Sequence, residues 1–234
     1  MPRVLLELPR PLRVRYLDSI HAALVTALRV AGAEGDRLVG PQAAPWTFAI
    51  SGRSFRGGAI QVDAVTLSTP DPGLGEAMLR MDPAAGRVLS SGGDAVDLSG
   101  AALRPVALPL VPDQDRVAVG FASPFLLSER GAAKKAYARS LAGLDLSAAF
   151  SAGLSRRLRR EVRLHVVQDR LSALTEGAAP VLVRVRRSGV RDLILPALSA
   201  VLTLGGPAAD LRDAYLAGLG EKTRYGFGCP VVLA

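Results

Sequence analysis

The chain holds one cysteine, Cys229, and two histidines, His21 and His165. A lone cysteine excludes an intramolecular disulfide framework and a cysteine-based metal cluster. Even with both histidines it makes a zinc site only if carboxylates complete the shell, so neither a metal nor a cofactor is expected. A reducing cytoplasm suits such a chain. No apolar run approaches the roughly 20 residues of a membrane span. The opening stretch, MPRVLLELPRPLRVRY, carries charges inside its short apolar run and no small-residue cleavage site, so it is not expected to act as a signal peptide. Aromatic residues make up only 5%. That argues against a surface on which several bases stack and towards backbone and shape contacts. Acidic residues are also short: 21 Asp and Glu stand against 29 Lys and Arg, a net charge of +8. The usual acidic partner of so basic a chain is nucleic acid.

Apolar residues are plentiful, at 49% of 234 positions, enough for one large domain or two small ones. Residues 3–8 read as a strand that Pro9 and Pro11 end. A helix follows over 18–31, with Leu17, Ile20, Leu24, Leu28 and Ala31 at helical spacing and Gly32 as its stop. Strands at 46–51 and 59–67 flank the basic turn SGRSFRGG, with Arg53 and Arg56, and form a hairpin. A short helix at 73–81 and broken strand over 87–111 complete the half. After a linker at 112–116 come a strand at 117–122, a helix over most of 134–161, strands at 162–167, 181–185 and 193–204, a helix from Pro207, and a final strand. The first half therefore reads β-α-β-β-α-β, and the second reads as the same unit with one extra strand between its helices. That order predicts an α+β protein of two tandem ferredoxin-like (RRM-like) domains, residues 1–112 and 113–234.

The tail is the stretch with the densest signal: AGLGEKTRYGFGCPVV. Gly218, Gly220, Gly226 and Gly228 are interleaved with Lys222 and Arg224. Without Cβ atoms, amide groups can approach a phosphate, and the two cations bring charge to the same place. The same glycines also fit a helix cap, a turn and a tightly packed strand. Arg156, Arg157, Arg159 and Arg160 form a nearly continuous basic turn at the end of the long helix. They can follow phosphates, or sit as a solvated helix end favoured by the macrodipole.

Three stretches together resemble the CRISPR repeat-processing endoribonucleases of the RAMP superfamily. The tail looks like that family's G-x-G-x-K-x-x-x-G-x-G motif. Residues 120–131, GFASPFLLSERG, are similar to the strand and loop that open its second domain. Residues 16–28, YLDSIHAALVTAL, look like its first helix, where many members carry a catalytic histidine. The resemblance implies two ferredoxin-like domains and metal-independent cleavage of the repeat hairpin of precursor CRISPR RNA. A ribose 2′-OH attacks the adjacent phosphate and leaves a 2′,3′-cyclic phosphate and a 5′-OH. His21 is then the candidate acid or base, since imidazole titrates near neutral pH; alone it reads as a helix-surface histidine. Tyr16 would orient His21 or touch the scissile phosphate, or simply pack. Arg53 would steady the phosphorane. Arg13, Arg15, Arg56, Arg156, Arg157, Arg160, Lys222 and Arg224, with the four tail glycines, would hold the RNA.

Three functions compete. One is the repeat-cleaving ribonuclease. Another is a non-catalytic RNA-binding or scaffold subunit of a CRISPR effector complex, partnered by other subunits. The third is an enzyme for a small phosphorylated ligand, which the spread of arginines over both halves disfavours.

Overall fold

The computed structural model describes residues 3–54, 58–90, 93–129, 136–167, 180–188 and 191–233. The first half builds a four-stranded antiparallel sheet from β1 (Arg3–Val14), β2 (Thr47–Ser54), β3 (Ile60–Ser68) and β6 (Ala102–Pro105). Their order across the sheet is β2-β3-β1-β6. Taking those strands in chain order, this is fourth-first-third-second, the ferredoxin-like arrangement. Helices α1 (Leu17–Val30) and α3 (Pro72–Arg80) cover one face, and a single turn, α2 (Gly35–Leu38), follows α1. A small hairpin of β4 (Arg87–Leu89) and β5 (Ala95–Asp97) precedes β6. The core between sheet and helices buries Val4, Leu6, Ile20, Leu24, Leu28, Val62 and Met78 fully.

The second half repeats the plan with β7 (Arg116–Phe121), β8 (His165–Val167), β11 (Leu202–Gly205) and β12 (Pro230–Val232), in the order β12-β7-β11-β8. Its helices are α4 (Leu146–Leu158) and α5 (Ala208–Ala217). The molecule is thus a tandem of ferredoxin-like folds. Between β8 and β11 the chain inserts a separate two-stranded sheet of β9 (Val181–Ser188) and β10 (Arg191–Ala197).

Three elements differ from the sequence reading. β1 does not stop at Pro9 but runs on to Val14, and its register against β3 shifts between Glu7 and Leu12. The prolines fall in that irregular stretch, where no ladder hydrogen bond is asked of them. The long helix expected over 134–161 is shorter. It starts at Leu146, where the Asp145 side chain accepts a hydrogen bond from the Ala148 N–H; residues 130–135 lie outside the described residues. The apolar run 193–204 is two strands in two different sheets, β10 and β11. Among the described residues, no helix is long and apolar enough to cross a membrane.

A third apolar cluster joins the halves. Leu17 at the start of α1, Val185, Leu195 and Ala197 of the inserted hairpin, and Leu126 and Phe227 of the second half pack together. This seam positions the site described next.

Candidate nucleic-acid interface

The N-terminus of α1 is the meeting point. Tyr16, its flanking residue, supplies no side-chain cap. Asp94, just before β5, does so from a distance. Its Oδ2 accepts hydrogen bonds from the Arg15 N–H (2.8 Å), the Tyr16 N–H (3.0 Å) and the Ser19 hydroxyl (3.0 Å). A carboxylate there satisfies orphan donors and suits the positive end of the helix dipole. The Tyr16 hydroxyl donates to Asp192 Oδ1 of β10 at 2.8 Å, and Asp192 Oδ2 lies 3.1 Å from Arg184 Nε of β9. The hydrogen bond to Asp192 raises the Tyr16 pKa above its usual value, against the pull of Arg187 and Arg184. Residues of both halves and of the inserted hairpin therefore converge on one helix end.

His21 lies one turn into α1 and is only 7% exposed. Its ring stacks against Tyr225 (centroids 4.6 Å apart) and Trp46 (5.7 Å). Nδ1 is 3.8 Å from the Asp18 carboxylate, and Nε2 is buried without a hydrogen-bond partner. Burial pushes the imidazole down to about 4, and the Arg224 guanidinium adds to the effect. His21 is therefore neutral at pH 7. It is not the exposed helix histidine that its position alone suggests.

The four tail glycines are buried, and the loop serves first as a joint. At Gly226, φ is +83° and a Cβ would come within 2.9 Å of the Phe48 ring. At Gly228, φ is +65° and a Cβ would overlap the Leu219 carbonyl. Only glycine fits either place. Gly218 lies against Thr47 and Gly220 against Leu126. Many of the amides are spent inside the protein: those of Leu219, Glu221, Gly226 and Gly228 donate to the carbonyls of Gly228, Leu126, Thr223 and Pro124. The glycines thus do not present a bare amide cradle to a phosphate. Gly218 and Gly226 let the loop close against the first half, and Gly220 and Gly228 let it fold tightly on the second.

The arginines divide into three groups. Arg157 is structural: its guanidinium donates to the Ala217 and Gly218 carbonyls and to Thr223 Oγ1, closing the end of α5. Arg160 is neutralised by Asp210 and Asp213, each 2.6 Å away. Both guanidinium groups are thus engaged within the protein. Arg156 and Lys222 are exposed, and Arg224 is partly exposed, bonded through Nη1 to the Gly40 carbonyl. Arg13 and Arg53 both pair with Gln61, from opposite sides. Strand alternation puts all three on the sheet face opposite the buried Val14 and Val62, hence away from α1 and His21. Arg53 is not a partner of His21. Arg15 is exposed beside Tyr16. Arg56 lies outside the described residues.

Sequence reasoning missed Trp46, Asp94 and Asp192. Their roles come from contacts across 25 to 176 positions of chain, and no local motif marks them. An apolar cavity of about 440 Å³ also opens beside α1, walled by Leu17, Ile50, Ile60, Leu182 and Ile194, with Arg184 at its edge.

The comparisons with known proteins follow the same lines. The family model for "CRISPR associated protein Cas6, C-terminal" matches residues 109–232, just over half of the chain. The chain belongs to the Cas6 family. No curated protein is similar enough in sequence to match it. Among solved structures, a RAMP protein binding different RNA substrates superposes with a TM-score of 0.69 at 15% identity, over 100% of both chains. The product of a Cas6-related gene from Pyrococcus furiosus gives 0.67 at 14% identity, over 99% of this chain and 98% of its own. A Cas6 product complex gives 0.60 at 18%, over the same shares. At these identities the likeness concerns the fold. It spans both halves, where the family model spans one.

Proposed function

We propose that this Cas6-family chain is a cytoplasmic endoribonuclease that binds the repeat hairpin of precursor CRISPR RNA and cleaves it without a metal. Attack of a 2′-OH on the adjacent phosphate forms the cyclic phosphate and expels the 5′ oxygen, giving mature guide RNA. Family membership over residues 109–232 carries the reading. Support comes from the convergence of Tyr16, His21, Arg184, Arg186 and Arg187 at the start of α1 and from the net charge of +8. The neighbouring apolar cavity suits an unstacked base.

His21 is the proton-transfer group in this reading. Being neutral at pH 7, it acts as the base that takes the 2′-OH proton rather than as the acid. Its Nε2 is buried in the free protein, so RNA binding has to open a path to it. The anionic phosphorane would then raise the imidazole pKa towards a useful value. Arg15, Lys222 and Arg224 remain the cations placed to grip the backbone.

A second reading is a non-catalytic RNA-binding subunit that works with other CRISPR effector proteins. The burial of His21 favours it. One experiment decides between the two. The protein is incubated in EDTA with its repeat RNA and with a copy carrying a single 2′-deoxy at the cleavage position. Cleavage of the first, with the second bound intact, is expected. His21→Ala should bind both RNAs and cleave at least about 100-fold more slowly. Binding of both RNAs by the wild type with cleavage of neither would establish the second reading.

A further inference from the structure

The inserted hairpin carries a charge pattern whose one acidic residue the cleavage reading leaves unused. Its two strands, VLVRVRRS and RDLILPA, hold four arginines (Arg184, Arg186, Arg187 and Arg191) and one acidic residue, Asp192. That single carboxylate occupies the centre of the group. It accepts the Tyr16 hydroxyl at 2.8 Å, faces Arg184 Nε at 3.1 Å, and stands opposite Arg187 in the strand register. A tyrosine hydroxyl and guanidinium groups converging on two oxygens is also the recognition chemistry of a phosphodiester. The side chains of Arg184 and Asp192 keep 26% and 30% of their surface open to solvent, whereas Tyr16 and the Arg184 Nε are buried, so a phosphate reaches the site only as Asp192 moves out.

We propose that Tyr16, Arg184 and Arg187 form a binding site for one backbone phosphate of the RNA, and that Asp192 fills this site as an internal stand-in until RNA displaces it. The proposal rests on the RNA-binding reading above and adds a gate to it. The carboxylate holds the hairpin against α1 in the free protein and prevents weak anions from occupying the site. An RNA already anchored elsewhere presents its phosphate at high effective concentration and wins the exchange. The apparent affinity of the wild type is accordingly the intrinsic affinity multiplied by the fraction of molecules in which Asp192 has left the site.

The test is a double-mutant cycle on binding of 2′-deoxy-protected repeat RNA, measured across a salt series. Asp192→Asn keeps the shape and removes the competing charge. It should bind about fivefold tighter than the wild type. In a Tyr16→Phe background the same change should gain less than about twofold, because the site it uncovers has lost its hydroxyl. Removing a negative charge from a basic surface would by contrast help equally in both backgrounds. Arg184→Gln, which does not depend on the folding of the Asp192 variant, should lower the slope of log K against log salt by about one. An equal gain in both backgrounds, no gain at all, or an unchanged slope for Arg184→Gln would each overturn the proposal. A wild type that binds no RNA would instead remove the function it rests on.

Discussion

His21 shows how far one residue's chemistry depends on neighbours that its own helix does not reveal. Its spacing beside Leu17, Ile20 and Leu24 places it on the flank of the stripe. Trp46 and Tyr225, 25 and 204 positions further along the chain, turn that flank into an interior. The consequence is a measurable pH dependence. The unfolded imidazole titrates near 6.5 and the folded one near 4. Between those values the unfolded chain binds the extra proton, so stability is full above about pH 6.5 and falls as pH drops towards 4. The gap corresponds to ~3 kcal/mol at most. Urea midpoints at pH 7 and pH 5 should differ in the wild type, and the His21 part of that difference should vanish in His21→Phe. Equal pH dependence in both proteins would show that His21 is solvated. The glycines teach the same lesson. Their positions are plain in the tail, but the side chains that fill the missing Cβ space of Gly218 and Gly226, Thr47 and Phe48, belong to the other half of the chain.

At the scale of elements, the periodic and alternating segments were legible. α1 starts one residue before its sequence assignment, and the β2–β3 hairpin falls on the strands that flank the basic turn. What was not legible is where a continuous apolar run changes partner. Residues 193–204 contain no glycine, and their one proline is inside β10. The bend at 199–201 that hands the chain from the inserted hairpin to the main sheet therefore has no punctuation. Capping at a distance is equally silent in sequence. α1 has no capping side chain of its own at Tyr16, and Asp94 takes one donor from its first turn and two from the residues that lead into it. Asp94→Ala should accordingly cost about 1–2 kcal/mol, in the range of a lost cap. Asp94→Asn keeps one acceptor oxygen and should lose less. Thermal melts of the two variants check the order. Equal melting temperatures for Asp94→Ala and wild type would mean that water replaces the carboxylate without penalty.

The whole molecule is two copies of one fold held by a seam of few but well-packed groups. Thr47 donates to the Phe227 carbonyl at 3.1 Å, Thr223 to the Trp46 carbonyl at 3.0 Å, and Arg3 to the Pro230 carbonyl at 3.1 Å while stacking on Tyr215. Phe227 is fully buried in the cluster that also holds α1 and the inserted hairpin. The tandem order of elements was readable because each half repeats its own hydrophobic pattern. The seam was not, because it joins residues that share no period. An RNA that touches both α1 and the tail needs these elements held in one geometry, so the seam bears on function as well as stability. Phe227→Ala should cost about 3–5 kcal/mol, the usual penalty for emptying such a site. Trp46, the sole tryptophan, lies on the first-half side of the seam. In the wild type its fluorescence and far-UV circular dichroism should trace one denaturation curve, because neither half keeps its joint face covered alone. In Phe227→Ala the two signals should separate, with the half that loses its packing unfolding first. Coincident curves at a lower midpoint would show instead that the polar bonds across the seam suffice to keep the halves cooperative.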